Sequence, residues 1–246
     1  MGKVRGMIRW LLSLSIIAVL GAGAARAGSV HDFHAGLADA TRHYREASFY
    51  LRTGNDSLAA YELEQLDDKW HALVERFQGV PPDLYSKDPE WKKTLAEIEA
   101  RIGRGLAAAE AGDATAAKGH LAPIRAIVGG LRRRNGVFLF SDCVDAANAA
   151  FQRLFRFRRA PPDFDRTEEV DALRRALAVT VHWYRRCRDE APAAYREAPQ
   201  FERLMRISLE SLSRVWSAIE NRSERELIGI LRELRSSDHL LYLRFG

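Results

Sequence analysis

Residues 88–110 read DPEWKKTLAEIEARIGRGLAAAE, and residues 198–220 read APQFERLMRISLESLSRVWSAIE. In the first stretch Trp91, Leu95, Ile98, Ile102 and Leu106 recur every three or four residues. In the second, Phe201, Met205, Leu209, Leu212, Trp216 and Ile219 do the same. That spacing lays one apolar stripe along a helix. Asp88 offers an N-cap, and Pro89 and Pro199 stand where a helix tolerates proline, at its first position. The two stretches superimpose at an offset of 110 residues, which carries Pro89 onto Pro199, Trp91 onto Phe201 and Ile102 onto Leu212.

The same offset reaches outward. It carries Asp32 onto Asp142, Gly119 onto Gly229, Leu121 onto Leu231 and Ile124 onto Leu234. His71 meets His182 at 111. We read an internal duplication. The first half has further stripes at Phe33, Leu37, Ala40, Tyr44, Ala47 and Leu51; at Leu63, Leu66, Trp70, Leu73 and Phe77; and at Ala117, Leu121, Ile124, Val128 and Leu131. The second half has Val144, Ala147, Phe151 and Leu154; Val170, Leu173, Leu177, Val181 and Tyr184; and Leu227, Ile230, Leu231 and Leu234. Gly54-Asn55, Pro81-Pro82, Gly112-Asp113, Asn135-Gly136, Pro161-Pro162 and Pro192 punctuate them, with Asp56 or Ser57 as a cap after Gly54. No stretch alternates with period two, so strands are not expected. The expected fold is all-α: two tandem antiparallel four-helix bundles, residues 28–136 and 137–246. The alternative is a continuous α-solenoid of helix hairpins. Ala47 to Ala60, around Gly54, resembles a tetratricopeptide turn, but the step from Gly54 to Gly112 is 58 residues and that family repeats at about 34.

The first 27 residues read as an address. Lys3, Arg5 and Arg9 precede an apolar run from Leu11 to Leu20, and Ala25-Arg26-Ala27 follows. This is the order of a secretory signal peptide, with cleavage between Ala27 and Gly28. The apolar core is shorter than the roughly 20 residues that span a bilayer. The expected location is the periplasm or outside the cell, with no membrane span after processing. Cleavage also changes the charge. The 246-residue chain carries +5, but four of its basic residues and no acid lie in 1–27. The remainder, 34 basic against 33 acidic, has a net charge of only +1, too little for a nucleic-acid binder. Clusters such as Arg132-Arg133-Arg134 then read as solvated, salt-bridged faces, where single Ala changes cost within about 0.5 kcal/mol; the alternative is a face for an anionic partner or membrane surface.

The stretch from Ala111 to Lys118, AGDATAAK, before the last helix of a secreted bundle of this size, resembles cytochrome c-prime. In that family the last helix carries C-x-x-C-H, which attaches haem. The corresponding segments here, 127–135 (IVGGLRRRN) and 234–241 (LRSSDHLL), hold no Cys. The resemblance therefore implies a bundle of that type without covalent haem, and no cofactor is expected.

The chemistry a sequence can announce is missing: there is no H-E-x-x-H, G-x-S-x-G, Walker loop or C-x-x-C. Gly103 and Gly105 fall inside a helix and read as packing. No catalytic residue is assigned. His31 and His34, an i, i+3 pair, are the candidate metal ligands. A di-metal bundle site needs Glu-x-x-His on two helices, and only Asp68-x-x-His71 approximates it. His71 and His182 read as half-exposed structural residues. Trp70, Trp91 and Trp216 read as core. Phe151, Phe155 and Phe157, with arginines between them, cover more than one helix face, so a ring must be buried against another element or offered to a partner.

Cys143 and Cys187 are the two cysteines. In an oxidising compartment they are expected to pair, although counting back from the Pro161-Pro162 turn leaves them about 9 Å out of step along the helices. The offset of 110 argues for closeness: it maps them onto Phe33 and Phe77, both on core stripes. Two separate buried thiols are the alternative. Together these readings describe an exported helical binding or scaffolding protein without catalytic activity, whose partner is another exported protein or a small ligand. The alternative is a ligand or metal carrier of the bundle type.

Overall fold

A computed structural model describes residues 30–246; the expected leader and its expected cleavage junction between Ala27 and Gly28 lie outside the described residues. The protein is all-α, and the described residues contain no strand. The chain divides into two compact units between Val137 and Phe138. No described helix is long and apolar enough to cross a membrane.

The first unit holds α1 (30–53), α2 (Asp56–Phe77), α3 (Trp91–Glu110), α4 (Ala114–Leu121) and α5 (Ile124–Arg134). Every residue of the α1 and α2 stripes is buried, from Phe33 to Leu51 and from Leu63 to Phe77. Gly54 takes a left-handed φ of 79°, and Asn55, rather than Asp56 or Ser57, caps α2 by accepting from the Leu58 N–H. α3 packs on α2, α4 and α5. Gly105 has a packing reason: a Cβ there would stand 2.9 Å from Leu121 Cδ2. The expected single helix after Gly112 is broken into α4 and α5. Pro123 supplies no N–H to continue the ladder, so the chain turns at Ala122-Pro123 and restarts.

The end of this unit is closed by rings. Phe33 lies 5.4 Å from Phe77, 5.1 Å from Tyr85 and 5.1 Å from Trp91, centroid to centroid. Two indoles complete backbone accounts: Trp91 Nε1 donates to the Phe77 carbonyl, and Trp70 Nε1 to that of Leu95.

The arginine run corrects the sequence reading. Arg132 is only 5% exposed. Arg134 donates to Asp88 Oδ2 at 3.0 Å and to Thr94 Oγ1 at 2.9 Å, and Asn135 Nδ2 donates to the same carboxylate at 2.7 Å. Asp88 also accepts from the Glu90 N–H, so it ties the end of α5 to the entry of α3 instead of capping a helix that starts at Pro89. Burial pushes the Asp88 carboxyl up, but hydrogen bonds from Asn135, the Glu90 N–H and Arg134 outweigh it and hold the pKa below the ordinary value. A lowered carboxylate stabilises the fold above its unfolded pKa and loses that stabilisation as pH falls through the folded one. The contribution of Asp88 should therefore be lost only below about pH 4, and Asp88→Asn should abolish that part of the acid response in a pH series of unfolding midpoints.

The second unit holds α6 (Phe140–Phe155), α7 (Thr167–Asp189), the short α8 (Ala193–Arg196), α9 (Pro199–Glu220) and α10 (Glu224–Phe245). α6 packs on α7, α7 on α9, α9 on α10, and α10 back on α6, closing a ring of four. Asp142 sits in the first turn of α6 and accepts from the Leu139 N–H, which places the helix start two residues earlier than Asp142. Pro199 is at the start of α9, as its position in the sequence requires. The inward face of α9 runs through Phe201, Met205, Ser208, Leu212, Val215 and Ile219. Trp216 is one residue off that seam and 40% exposed, which corrects its assignment to the core. Phe151 is fully buried, while Phe155 is partly buried under the guanidinium groups of Arg158 and Arg235, at 4.9 and 5.0 Å. At the α9–α10 turn Arg222 holds φ at 50°, at the position that the 110-residue offset matches to Gly112, whose φ is 75°.

Leu66 and Leu212 sit at the stripe centres of α2 and α9 and are essentially sealed from solvent. Leu66→Ala and Leu212→Ala should each cost about 2–5 kcal/mol in denaturant unfolding, the range for a buried leucine leaving a cavity.

Candidate functional site

α1 and α2 form a hairpin around Gly54, and this brings polar residues of the two helices together on one side of the apolar seam. His43 and Glu46, three residues apart, project from the same side of α1. Glu62 comes from α2. His43 and Glu62 are almost completely buried and Glu46 is half-buried. His43 Nδ1 lies 2.7 Å from Glu62 Oε2, and Arg42 approaches His43 Nε2 at 2.9 Å. A guanidinium can only donate, so Nε2 is the acceptor and Nδ1 carries the hydrogen donated to Glu62. Burial, then the charge and hydrogen bond of Glu62, push the Glu46 carboxyl up, while Arg42 and His43 pull the other way. Arg42 also binds Asp39 at 2.9 Å, and Lys69 reaches Asp39 at 3.0 Å from α2. One ligand atom from each of His43, Glu46 and Glu62 lies within 4.8 Å of the others.

The metal candidates read from the sequence fall elsewhere. His31 is exposed in the first turn of α1. His34 Nε2 lies 2.8 Å from Tyr85 Oη, and its pKa is lowered by burial, then by the charges of Arg132 and His31. Among the described residues the group of three close ligands is His43, Glu46 and Glu62, about two and a half turns further along the helix. The sequence signal was present in reverse: His43-x-x-Glu46 has the spacing of the bundle motif with its order inverted, and its third member is supplied only by the hairpin. Asp68-x-x-His71 yields no such group: His71 is exposed and faces Glu99 at 3.3 Å.

Cys143 and Cys187 are joined in a disulfide with Cα atoms 5.6 Å apart. It occupies in the second unit the position at which Phe33 packs edge-on against Phe77 in the first. Nearby, the Tyr184 hydroxyl and the Asn148 amide both donate to Asp238, each at 2.6 Å.

The second unit also carries two surface pockets lined by residues of α7 and α9. One, about 530 Å³, is lined by Val181, His182, Arg185, Arg186 and Trp216. The other, about 490 Å³, has Phe201, Met205 and Leu209 beside Arg188, Arg196 and Arg206. Arg186 is already engaged by Glu190 and stacks near Phe138 and Trp183.

Comparison with protein-family models, with curated proteins and with solved structures gave no match.

Proposed function

We propose that this chain is an exported, non-catalytic helical binding protein that receives a segment of a partner protein across the two α7–α9 pockets. The observation that carries the reading is Trp216. An indole 40% exposed beside a pocket is unlike the other stripe tryptophans, Trp70 and Trp91, which are buried. Tryptophan and arginine are the residues most often found as anchors at interfaces. Both pockets are lined by residues of α7 and α9, which suits an amphipathic helix laid across the two. Arg186, Arg188 and Arg206 are paired with Glu190, Asp189 and Glu210, which leaves Arg185 and Arg196 against Glu202, so the partner segment should be apolar with an acidic flank. The leader-like first 27 residues and the Cys143–Cys187 bridge are both compatible with an oxidising destination outside the cytosol.

The test is quantitative capture from an extract of the exported compartment, followed by affinity measurement with the captured protein. Trp216→Ala and Arg185→Glu should each weaken binding at least about tenfold, with the unfolding midpoint unchanged. Undiminished binding by both variants would remove the pockets from the interaction.

A further inference from the structure

We propose that His43, Glu46 and Glu62 form a binding site for a divalent transition-metal ion, with Zn(II) the best match to the donors. Zinc takes imidazole nitrogen and carboxylate oxygen, and a site with three protein ligands keeps one position for water. Two carboxylates and a neutral imidazole balance a dication once Arg42, now 3.7 Å from Glu46 and 2.9 Å from His43 Nε2, withdraws from both. The donor atoms are already gathered within 4.8 Å. Donors about 2.0–2.2 Å from a tetrahedral zinc stand about 3.3–3.5 Å apart. The 2.7 Å gap between His43 Nδ1 and Glu62 Oε2 must therefore open by less than about 1 Å. A gap as wide as the 4.8 Å limit must close by about 1.3 Å. On binding at Nδ1, the proton there passes to Nε2. Arg42 then leaves Nε2 and remains with Asp39, which it already holds at 2.9 Å.

Two features set this cluster apart from an ordinary polar contact in a helix hairpin. The first is composition. Two carboxyl groups from neighbouring helices and a buried imidazole bring their ligand atoms within 4.8 Å of one another, and the cation beside them, Arg42, stands 3.7 Å from Glu46. The second is its restriction to one unit. The 110-residue offset maps His43, Glu46 and Glu62 onto Arg153, Arg156 and Ala172. The second unit builds its own α6–α7 hairpin without any of the three ligands, so the hairpin does not need them. The core residues around them follow the opposite pattern: Ala40, Ala47 and Leu63 map onto Ala150, Phe157 and Leu173, all apolar.

The experiment uses the full-length untagged protein, treated with chelator and then titrated with ZnCl2 in a calorimeter, with CoCl2 as a spectroscopic probe. One ion per chain should bind with a Kd of about 1 µM or below, and cobalt should give the visible absorption of a low-coordinate site with a nitrogen ligand. Glu46→Gln and Glu62→Gln should each weaken zinc binding at least about tenfold, and the double variant His31→Ala/His34→Ala should leave it unchanged. Glu46 is half-buried, so Glu46→Gln should fold even if Glu62→Gln does not, and the cobalt spectrum of the Glu46→Gln protein decides the matter independently. Absence of saturable zinc binding overturns the proposal. So does binding that survives Glu46→Gln with an unaltered cobalt spectrum, or binding that is lost with His31 and His34. Because the site and the pockets lie in different units, failure here leaves the partner reading untouched, and failure of Trp216→Ala to affect capture leaves this one untouched.

Discussion

Replacing Cys143 and Cys187 by serine should lower the stability of the second unit by about 2–5 kcal/mol. The bond closes a loop across a sequence separation of 44 residues, for which the chain-entropy treatment gives about 4 kcal/mol, an upper figure that depends on the model. Both sulfurs are fully buried, so the serines add the cost of two hydroxyls in an apolar setting. The first unit supplies an internal control. Its core is a separate cluster, and at the matching place it uses Phe33 against Phe77, which no reductant touches. Unfolding followed by hydrogen exchange or by single-tryptophan variants should show the second unit shifted and the first unmoved. Reductant added to the folded wild type should act slowly, because the bond must first be exposed by opening. An unchanged midpoint for the second unit in the serine variant would show that the bridge contributes nothing to stability.

Asp238→Ala should cost about 2–4 kcal/mol, more than its size suggests. Asp238 is 3% exposed and accepts from Tyr184 and Asn148. Truncation leaves the Tyr184 hydroxyl without this acceptor in a place no water reaches, and removes the clamp between α6, α7 and α10. Burial, then the charge and hydrogen bond of Asp238, push the Tyr184 phenol well above its ordinary range, so it is a donor at neutral pH. Tyr184→Phe should cost less, about 1 kcal/mol, because the carboxylate keeps Asn148. Chemical denaturation of the two variants beside wild type checks the order; equal, small losses would mean that the network is ornamental to stability.

Most of the helical frame was legible because apolar spacing reports burial directly. The stripes of α1 and α2 are buried at every position read from the sequence. The disulfide was legible for a different reason: the offset placed Cys143 and Cys187 on two ring positions, while simple counting along the hairpin placed them apart. What was not legible depended on geometry a stripe does not encode. Trp216 fits a 3.6-residue period as well as Val215 does, and only the neighbouring helices decide which of the two faces in. Arg132 is an arginine among arginines, yet its depth follows from its place on the inner side of α5. The His43 cluster needed the hairpin itself, since Glu62 is brought to His43 by the turn at Gly54 and by nothing in the local pattern.

The break at Pro123 also sets a time scale. Pro123 brings no amide hydrogen, so the α4 ladder loses a bond where α10, in the second unit, runs through Glu233 without interruption. α4 is thus an eight-residue segment held chiefly by its packing on α3, and segments of that size open without the rest of the fold. In deuterated solvent its amides should label early, as a block, while those in the middle of α10 wait for the whole second unit to open. Two stretches related by the 110-residue offset would then behave as different clocks, and a single proline would account for the difference.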